Sequence, residues 1–140
     1  AIAAPTNDET ESRIFERQQI MTQLDDDTKL LGEIVSGELP KDKLGITTRS
    51  IAKGAQDALA AFEEPLPGGR SKPEVWSNHA EFMHRMDTFV RETEAMAKLA
   101  ADAALRERFG KRARALVEEK FSAAAIGREI VALYNEVSRR

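Results

Sequence analysis

The chain has 140 residues, of which 41% are hydrophobic and 32% charged, and its formal net charge is −3 at pH 7. This length suits one domain with a single core, and the apolar content is too high for a disordered chain. The sequence contains no cysteine. Disulfides, thiolate metal sites and cysteine nucleophiles are therefore excluded.

Charge is unevenly distributed along the chain. Residues 103–140 carry nine basic and five acidic side chains, whereas residues 1–102 carry 12 basic and 19 acidic ones. The positive excess of the C-terminal part is modest for a nucleic-acid binder. We therefore expect a solvated helix face there and no nucleic-acid partner. No apolar run approaches the roughly 20 residues of a membrane span, so none is expected.

The hydrophobic pattern predicts helices and no strands. Residues 1–9 are polar and contain a proline, which favours a flexible arm. Apolar residues then recur every three or four positions over 10–36, which predicts a helix that Gly37 ends. Its predicted inner positions are Ile14, Ile20, Met21, Leu24, Leu30, Leu31, Ile34 and Val35.

Three further helical segments follow. The second helix is predicted over 42–64, and the third over 73–101 with Pro73 in its first turn. The fourth begins near Asp102, an N-cap candidate, and an amphipathic segment over 122–140 either continues it or bends away. The predicted fold is all-α: an antiparallel four-helix bundle over 10–121, with 122–140 in the same domain or at an interface. The inner face predicted for the fourth helix is Leu105, Phe109, Ala113, Leu116 and Val117.

Three short motifs resemble those of a known family. They are Arg17-Gln18 with Met21, Gly37-Glu38, and Lys72-Pro73-Glu74-Val75-Trp76-Ser77 followed by Phe82. At these separations residues 10–101 resemble the cytochromes c′. The resemblance implies a cytochrome c′-like bundle with an additional C-terminal helix or an extended fourth helix.

The family's fourth helix carries Gly-Lys-x-Cys-x-x-Cys-His, which holds haem through two thioethers and an imidazole. The matching stretch here is Gly110-Lys111-Arg112-Ala113-Arg114-Ala115-Leu116-Val117. Without cysteine, covalent haem is excluded. The resemblance implies that the former haem pocket is formed by Arg17, Met21, Trp76, Phe82, Ala113, Leu116 and Val117.

Residues 102–137 also resemble the C-terminal helical tail of GT-B glycosyltransferases, through Asp102–Gly110, Val117–Ser122 and Ala132–Tyr134. That tail is structural and the nucleotide-sugar domain is missing, so no glycosyltransferase activity is implied. Fusion or frameshift at the end of a cytochrome c′-like chain is one origin of this region, and simple divergence of the fourth helix is the other.

Non-covalent haem would need an imidazole, and both histidines lie on the third predicted helix. We expect His79, on the apolar stripe, to be a hydrogen-bonded imidazole rather than a haem ligand, and His84 to lie nearer the polar side. Glu81 and His84 give a single Glu-x-x-His spacing, whereas di-iron bundles need two. Asp25-Asp26-Asp27 point about 100° apart on a helix, which favours a solvated face over a cation site. No cofactor or metal is expected.

Without haem, Arg17 is expected to pair with a glutamate of a neighbouring helix, Met21 to fill core space and Trp76 to act as a packing anchor. Residues 122–140 are expected to compensate for the cavity, because an unfilled one costs several kcal/mol. Their apolar stripe, packed on the bundle or on a partner chain, would be Ile126, Ile130, Leu133, Tyr134 and Val137.

The leading functional hypothesis is a non-enzymatic, haem-free structural or interaction protein. The first alternative is a non-covalent binder of haem or another small apolar ligand in the former pocket. The second, implied by the family alone, is a periplasmic electron-transfer or gas-binding cytochrome. A homodimer through the first helix or the C-terminal helix is expected. The start at Ala1 fits a mature periplasmic chain.

Overall fold

The computed structural model describes residues 3–121, 128, 130–132 and 135; of Val117, Lys120 and Phe121 it describes the backbone alone. The described residues form helices joined by turns and loops, with no strand among them, so the all-α prediction is confirmed. The helices are α1 (Asn7–Ser36), α2 (Leu44–Glu63), α3 (Pro73–Ser77), α4 (His79–Ala101) and α5 (Ala103–Phe121), with a 3₁₀ turn at Lys41–Lys43 before α2.

The first helix begins three residues earlier than predicted. Thr6 accepts a hydrogen bond from the Glu9 amide, and the Glu9 carboxylate accepts one from the Thr6 amide. This capping box satisfies two amides that lack helical partners, so the helix extends into the predicted arm. Its C-terminus is confirmed at Gly37, whose φ of 87° is left-handed and favours glycine.

The buried face of α1 includes two charged residues that a hydrophobic pattern cannot assign to it. Arg17, Leu24, Asp27 and Ile34 are buried at heptad-like spacing. The predicted inner positions Met21 and Val35 are 47% and 75% exposed, so placing them in the core was wrong. Hydrogen bonds offset the desolvation cost of burying these two charges. Arg17 donates to backbone carbonyls around the end of α2, and Asp27 accepts from side chains.

The burial of Asp27 corrects the prediction that the three consecutive aspartates form a solvated face. Asp25 and Asp26 are exposed, but Asp27 is 8% exposed. Its carboxylate accepts hydrogen bonds from the Ser50 hydroxyl of α2 at 2.6 Å and from the Gln23 amide at 3.1 Å. The carboxylate therefore joins α1 to α2.

The second helix is central in the first part of the chain, because it packs against both α1 and α4. A short connection that includes the 3₁₀ turn joins α1 to α2, which favours an antiparallel arrangement of these two helices. Small residues let the backbones approach: Ala55 and Ala58 are fully buried, and a Cβ on Gly54 would lie 2.8 Å from Leu24 Cδ2. The core cluster is formed by Leu24, Ile51 and Ala58, with Ile20, Leu31, Met86 and Met96 packed against it.

The third predicted helix is interrupted at Asn78, which corrects the continuous helix over 73–101. Asn78 has φ −128° and ψ 51°, outside the helical region, and its amide donates to the Glu74 carbonyl. Asparagine offers the backbone alternatives to a helix, and no glycine or proline marks the break. His79 begins α4 directly after this bend.

The chain divides into two compact units, Ala1–Ala101 and Asp102–Arg140. In the second unit, Asp102 accepts a hydrogen bond from the Leu105 amide at 2.9 Å, which confirms the predicted N-cap. The predicted inner face of α5 is not buried: Leu105 is half-buried, whereas Phe109, Ala113 and Leu116 are exposed. The bundle over 10–121 as one domain stays a prediction.

Most of the C-terminal apolar stripe lies outside the described residues: Ile126, Leu133, Tyr134 and Val137. Ile130, its one described member, is exposed. Among the helices that the structure describes, none combines the length and apolarity needed to cross a membrane.

Candidate functional site

A groove open to solvent runs along the first unit, with α1 on one side and α4 on the other. Its volume is about 740 Å³, within the range of about 300–1,000 Å³ typical of ligand sites. The largest share of its lining comes from α1, and one aromatic ring, Phe62, comes from α2. The lining residues are Ile14, Arg17, Gln18, Gln19, Met21, Thr22, Asp25, Phe62, Gly68, Gly69, Arg70, Ser71, Val75, Phe82 and Met86.

Arg17 is held in the groove wall by the end of α2. Its Nε donates a hydrogen bond to the backbone carbonyl of Ala61 at 2.8 Å. Its two terminal nitrogens donate to the backbone carbonyls of Glu64 at 2.8 Å and Leu66 at 2.6 Å. Carbonyls at a helix C-terminus lack helical partners and carry partial negative charge, so a guanidinium satisfies them well. This corrects the prediction that Arg17 pairs with a glutamate side chain. The Glu64 carboxylate instead lies 4.0 Å from Arg13.

Aromatic rings cover the same guanidinium. Its central carbon lies 4.8 Å from the ring centroid of Trp76 and 5.1 Å from that of Phe62. Both distances fall within the range of cation–π attraction. Burial, followed by the nearby charge of Arg13, lowers the pKa of Arg17 from its ordinary value. An arginine with a lowered pKa still remains a cation at neutral pH.

His79 completes the hydrogen bonding at the end of α2. Its Nε2 donates to the Phe62 carbonyl at 2.7 Å, and its ring stacks on Trp76 with centroids 6.0 Å apart. A carbonyl oxygen only accepts, so this nitrogen carries the proton. The geometry agrees with the prediction of a hydrogen-bonded, half-buried imidazole, and His84 is exposed.

The loop between α2 and α3 forms one end of the groove. Gly68 and Gly69 have φ values of 145° and 65°, and a Cβ on either would lie within 2.6 Å of the Ile14 side chain. Glycine is therefore required both for the backbone conformation and for the close approach to α1. The next two residues, Arg70 and Ser71, line the groove.

The predicted pocket residues are brought together only in part. Arg17, Met21 and Phe82 line the groove. Trp76 stands behind Arg17, against Phe62, and its buried indole nitrogen has no hydrogen-bond partner among the described residues. Ala113 and Leu116 are exposed residues of the second unit, and the side chain of Val117 lies outside the described residues.

Several groove residues were missed by sequence reasoning. Ile14 is predicted only as an inner position of the first helix, and Met86 has no predicted role in a site, yet both line the groove. The loop Gly68–Ser71, which lies between the second and third predicted helices, also lines the groove and has no predicted role. Its glycine pair followed by an arginine was the available signal, because paired glycines often allow backbone to approach a neighbouring element closely.

The family model described as Cytochrome C' matches residues 12–125, well over half of the chain. The chain belongs to the cytochrome c′ family. No curated protein and no solved structure matches it significantly. The resemblance in the helix motifs is thereby confirmed, and the matched region extends beyond them through α5.

The covalently bound haem typical of cytochromes c′ does not fit this member. Its sequence has no cysteine, so no thioether to haem can form. The ring nitrogen of His79 that faces Phe62 is engaged by a carbonyl, and neither histidine lines the groove. Within residues 3–121 and the other described positions, no three metal-ligating side chains cluster.

Proposed function

We propose that this cytochrome c′ family member is a non-enzymatic, haem-free binding protein that takes a small apolar ligand in the α1–α4 groove. One observation carries the proposal: a groove of about 740 Å³ whose walls include Ile14, Met21, Phe62, Phe82 and Met86. Apolar walls with a few polar groups are typical of small-molecule sites. The groove thus favours ligand binding over a purely structural role.

The first test asks whether the purified protein carries haem and whether it binds an apolar probe. We expect an absorbance spectrum without a Soret band. We also expect the fluorescence of N-phenyl-1-naphthylamine, an uncharged apolar dye, to rise saturably on titration. A Soret band retained through purification would contradict the haem-free proposal, and a dye signal that never saturates would contradict the binding site.

A matched pair of variants locates the dye. Met21 lines the groove and is 47% exposed, whereas Val35 lies on the same helix, outside the groove lining, and is 75% exposed. Met21→Gln should weaken dye binding several-fold, because it replaces apolar contacts by a polar amide. Val35→Gln should bind like the wild type. Equal binding by the two variants would exclude the groove as the dye site.

A homodimer is the second candidate, as an interaction protein that meets a second copy of itself. Phe109 and Leu116 are large apolar residues exposed on α5. Exposed apolar residues that recur on one helix favour association with another protein surface. Light scattering over a concentration series should show a dimer that Phe109→Ser weakens. A monomer throughout the series would eliminate this candidate.

A periplasmic location is part of the proposal and rests on family membership alone. Fractionation of cells that express the complete gene should recover the protein with periplasmic markers. Recovery with cytosolic markers would contradict it.

A further inference from the structure

The groove is asymmetric in charge. Two arginines line it, Arg17 on α1 and Arg70 in the loop before α3, against one acidic residue, Asp25. The loop touches Ile14, and Asp25 lies eleven residues further along α1. At ~1.5 Å per residue this separation is about 16 Å along the helix axis. The end of the groove with Arg17 and Arg70, called the positive end, is therefore well separated from Asp25.

The two cations at the positive end differ in their freedom. Arg17 is buried and fixed by three carbonyls, and no carboxylate of the described residues forms an ion pair with it. These carbonyls stabilise its positive charge, together with the nearby carboxylate charges of Glu64 and Glu16. Arg70 is exposed and has neither a hydrogen bond nor an ion pair within the described part of the chain. Its guanidinium is available for an anion.

The wall beyond these cations is adaptable and apolar. Met21 lies one helical turn beyond Arg17, and Met86 faces the groove from α4. Methionine side chains are unbranched and rotate freely, so they adapt to a flexible chain. An apolar body along this wall would point its other end away from Arg70 and toward Asp25, where a second anionic group would be repelled.

We propose that the ligand of the groove is a single-headed anionic amphiphile, a carboxylate on an apolar chain, with its head at Arg70 and the Gly68–Ser71 loop. This inference rests on the proposed function, because it names the ligand class of the same groove. The groove should therefore bind such a carboxylate more tightly than it binds uncharged or cationic amphiphiles of the same length.

The test compares three amphiphiles with the same chain: dodecanoate and dodecyltrimethylammonium, each below its micellar concentration, and dodecan-1-ol below its solubility limit. Each displaces N-phenyl-1-naphthylamine from the full chain. We expect dodecanoate to bind about fivefold more tightly than the alcohol, the scale of one exposed ion pair. The cation should bind most weakly. Added salt should reduce the preference for dodecanoate, since exposed charges are screened.

Arg70→Gln should bring dodecanoate to the affinity of the alcohol, and Arg70→Lys should retain most of the preference. Arg49→Gln, which removes an exposed arginine of α2 outside the groove lining, should leave the preference unchanged. Equal affinities of the wild type for all three amphiphiles would overturn this inference and leave the proposed function intact. Failure of every amphiphile and of the dye would overturn both. A preference that persists in Arg70→Gln would overturn the placement of the head group.

Discussion

The guanidinium carbon of Arg17 lies 4.8 Å from the ring centroid of Trp76, and this contact joins α1 to α3. The same guanidinium donates to three carbonyls at or just beyond the end of α2. One side chain of the groove wall thus connects three elements. The groove wall formed by Arg17 and Phe62 is therefore held in place by Trp76 behind it, and the loop residue Arg70 lines the same groove and is exposed.

Arg17→Ala should destabilise the protein by about 3 kcal/mol, because it leaves carbonyls without donors and removes the cation between the rings. Chemical denaturation measures the change. Arg13→Ala is the control: Arg13 is exposed and its ion pair with Glu64 is 4.0 Å long, so its loss should cost less than about 0.5 kcal/mol. Equal costs for the two variants would contradict the role of Arg17 at the end of α2.

His79→Ala should lower the free energy of unfolding by about 1–2 kcal/mol, because the Phe62 carbonyl loses its donor and Trp76 loses a stacked ring. The environment of Trp76, the one tryptophan of the chain, should change with it, which the fluorescence maximum reports. His84→Ala, at an exposed position of the same helix, should alter neither quantity. A wild-type spectrum and stability in His79→Ala would refute this role.

Asp27→Ala should cost about 1–2 kcal/mol of stability, since the Ser50 hydroxyl and the Gln23 amide lose their acceptor at a buried position. Asp26→Ala removes the neighbouring, exposed carboxylate and should change the free energy of unfolding by less than about 0.5 kcal/mol. If thermal or chemical unfolding shows that Asp26→Ala lowers the free energy of unfolding more than Asp27→Ala does, the burial of Asp27 is contradicted.

The close approach of α1 and α2 predicts opposite effects for two glycine substitutions. A Cβ on Gly54 would lie 2.8 Å from the buried Leu24 side chain, whereas nothing lies within 4 Å of one on Gly32. Gly54→Ala should destabilise by about 1 kcal/mol or more through overpacking. Gly32→Ala, in the interior of α1, should stabilise by about 0.5–1 kcal/mol. Melting temperatures that shift in the same direction would contradict this packing.

The helix ends were predictable where a residue has a dedicated backbone role, as at Gly37 and Asp102. The bend at Asn78 was not, because asparagine is compatible with a helix until tertiary contacts decide otherwise. The burial of Arg17 and Asp27 could not be predicted from the hydrophobic pattern for a related reason. Their burial depends on carbonyls and a hydroxyl supplied by a second helix, which no periodicity along α1 reports.

The candidate site was likewise predictable only in part. The motif residues Arg17, Met21 and Phe82 line one groove, but its positive end is formed by a loop whose position follows from the contact of Gly68 and Gly69 with Ile14. That contact joins residues more than fifty positions apart. The absence of cysteine, by contrast, is a property of the sequence alone, and it decides the question of covalent haem.

The most direct test of ligand binding in the groove is an NMR titration of methionine methyl groups with dodecanoate. The chain has four methionines, of which Met21 and Met86 line the groove, while Met83 and Met96 do not. We predict that saturating dodecanoate shifts the methyl signals of Met21 and Met86 and leaves those of Met83 and Met96 nearly unchanged. Shifts confined to Met83 and Met96, or no shift at any methyl, would contradict the account.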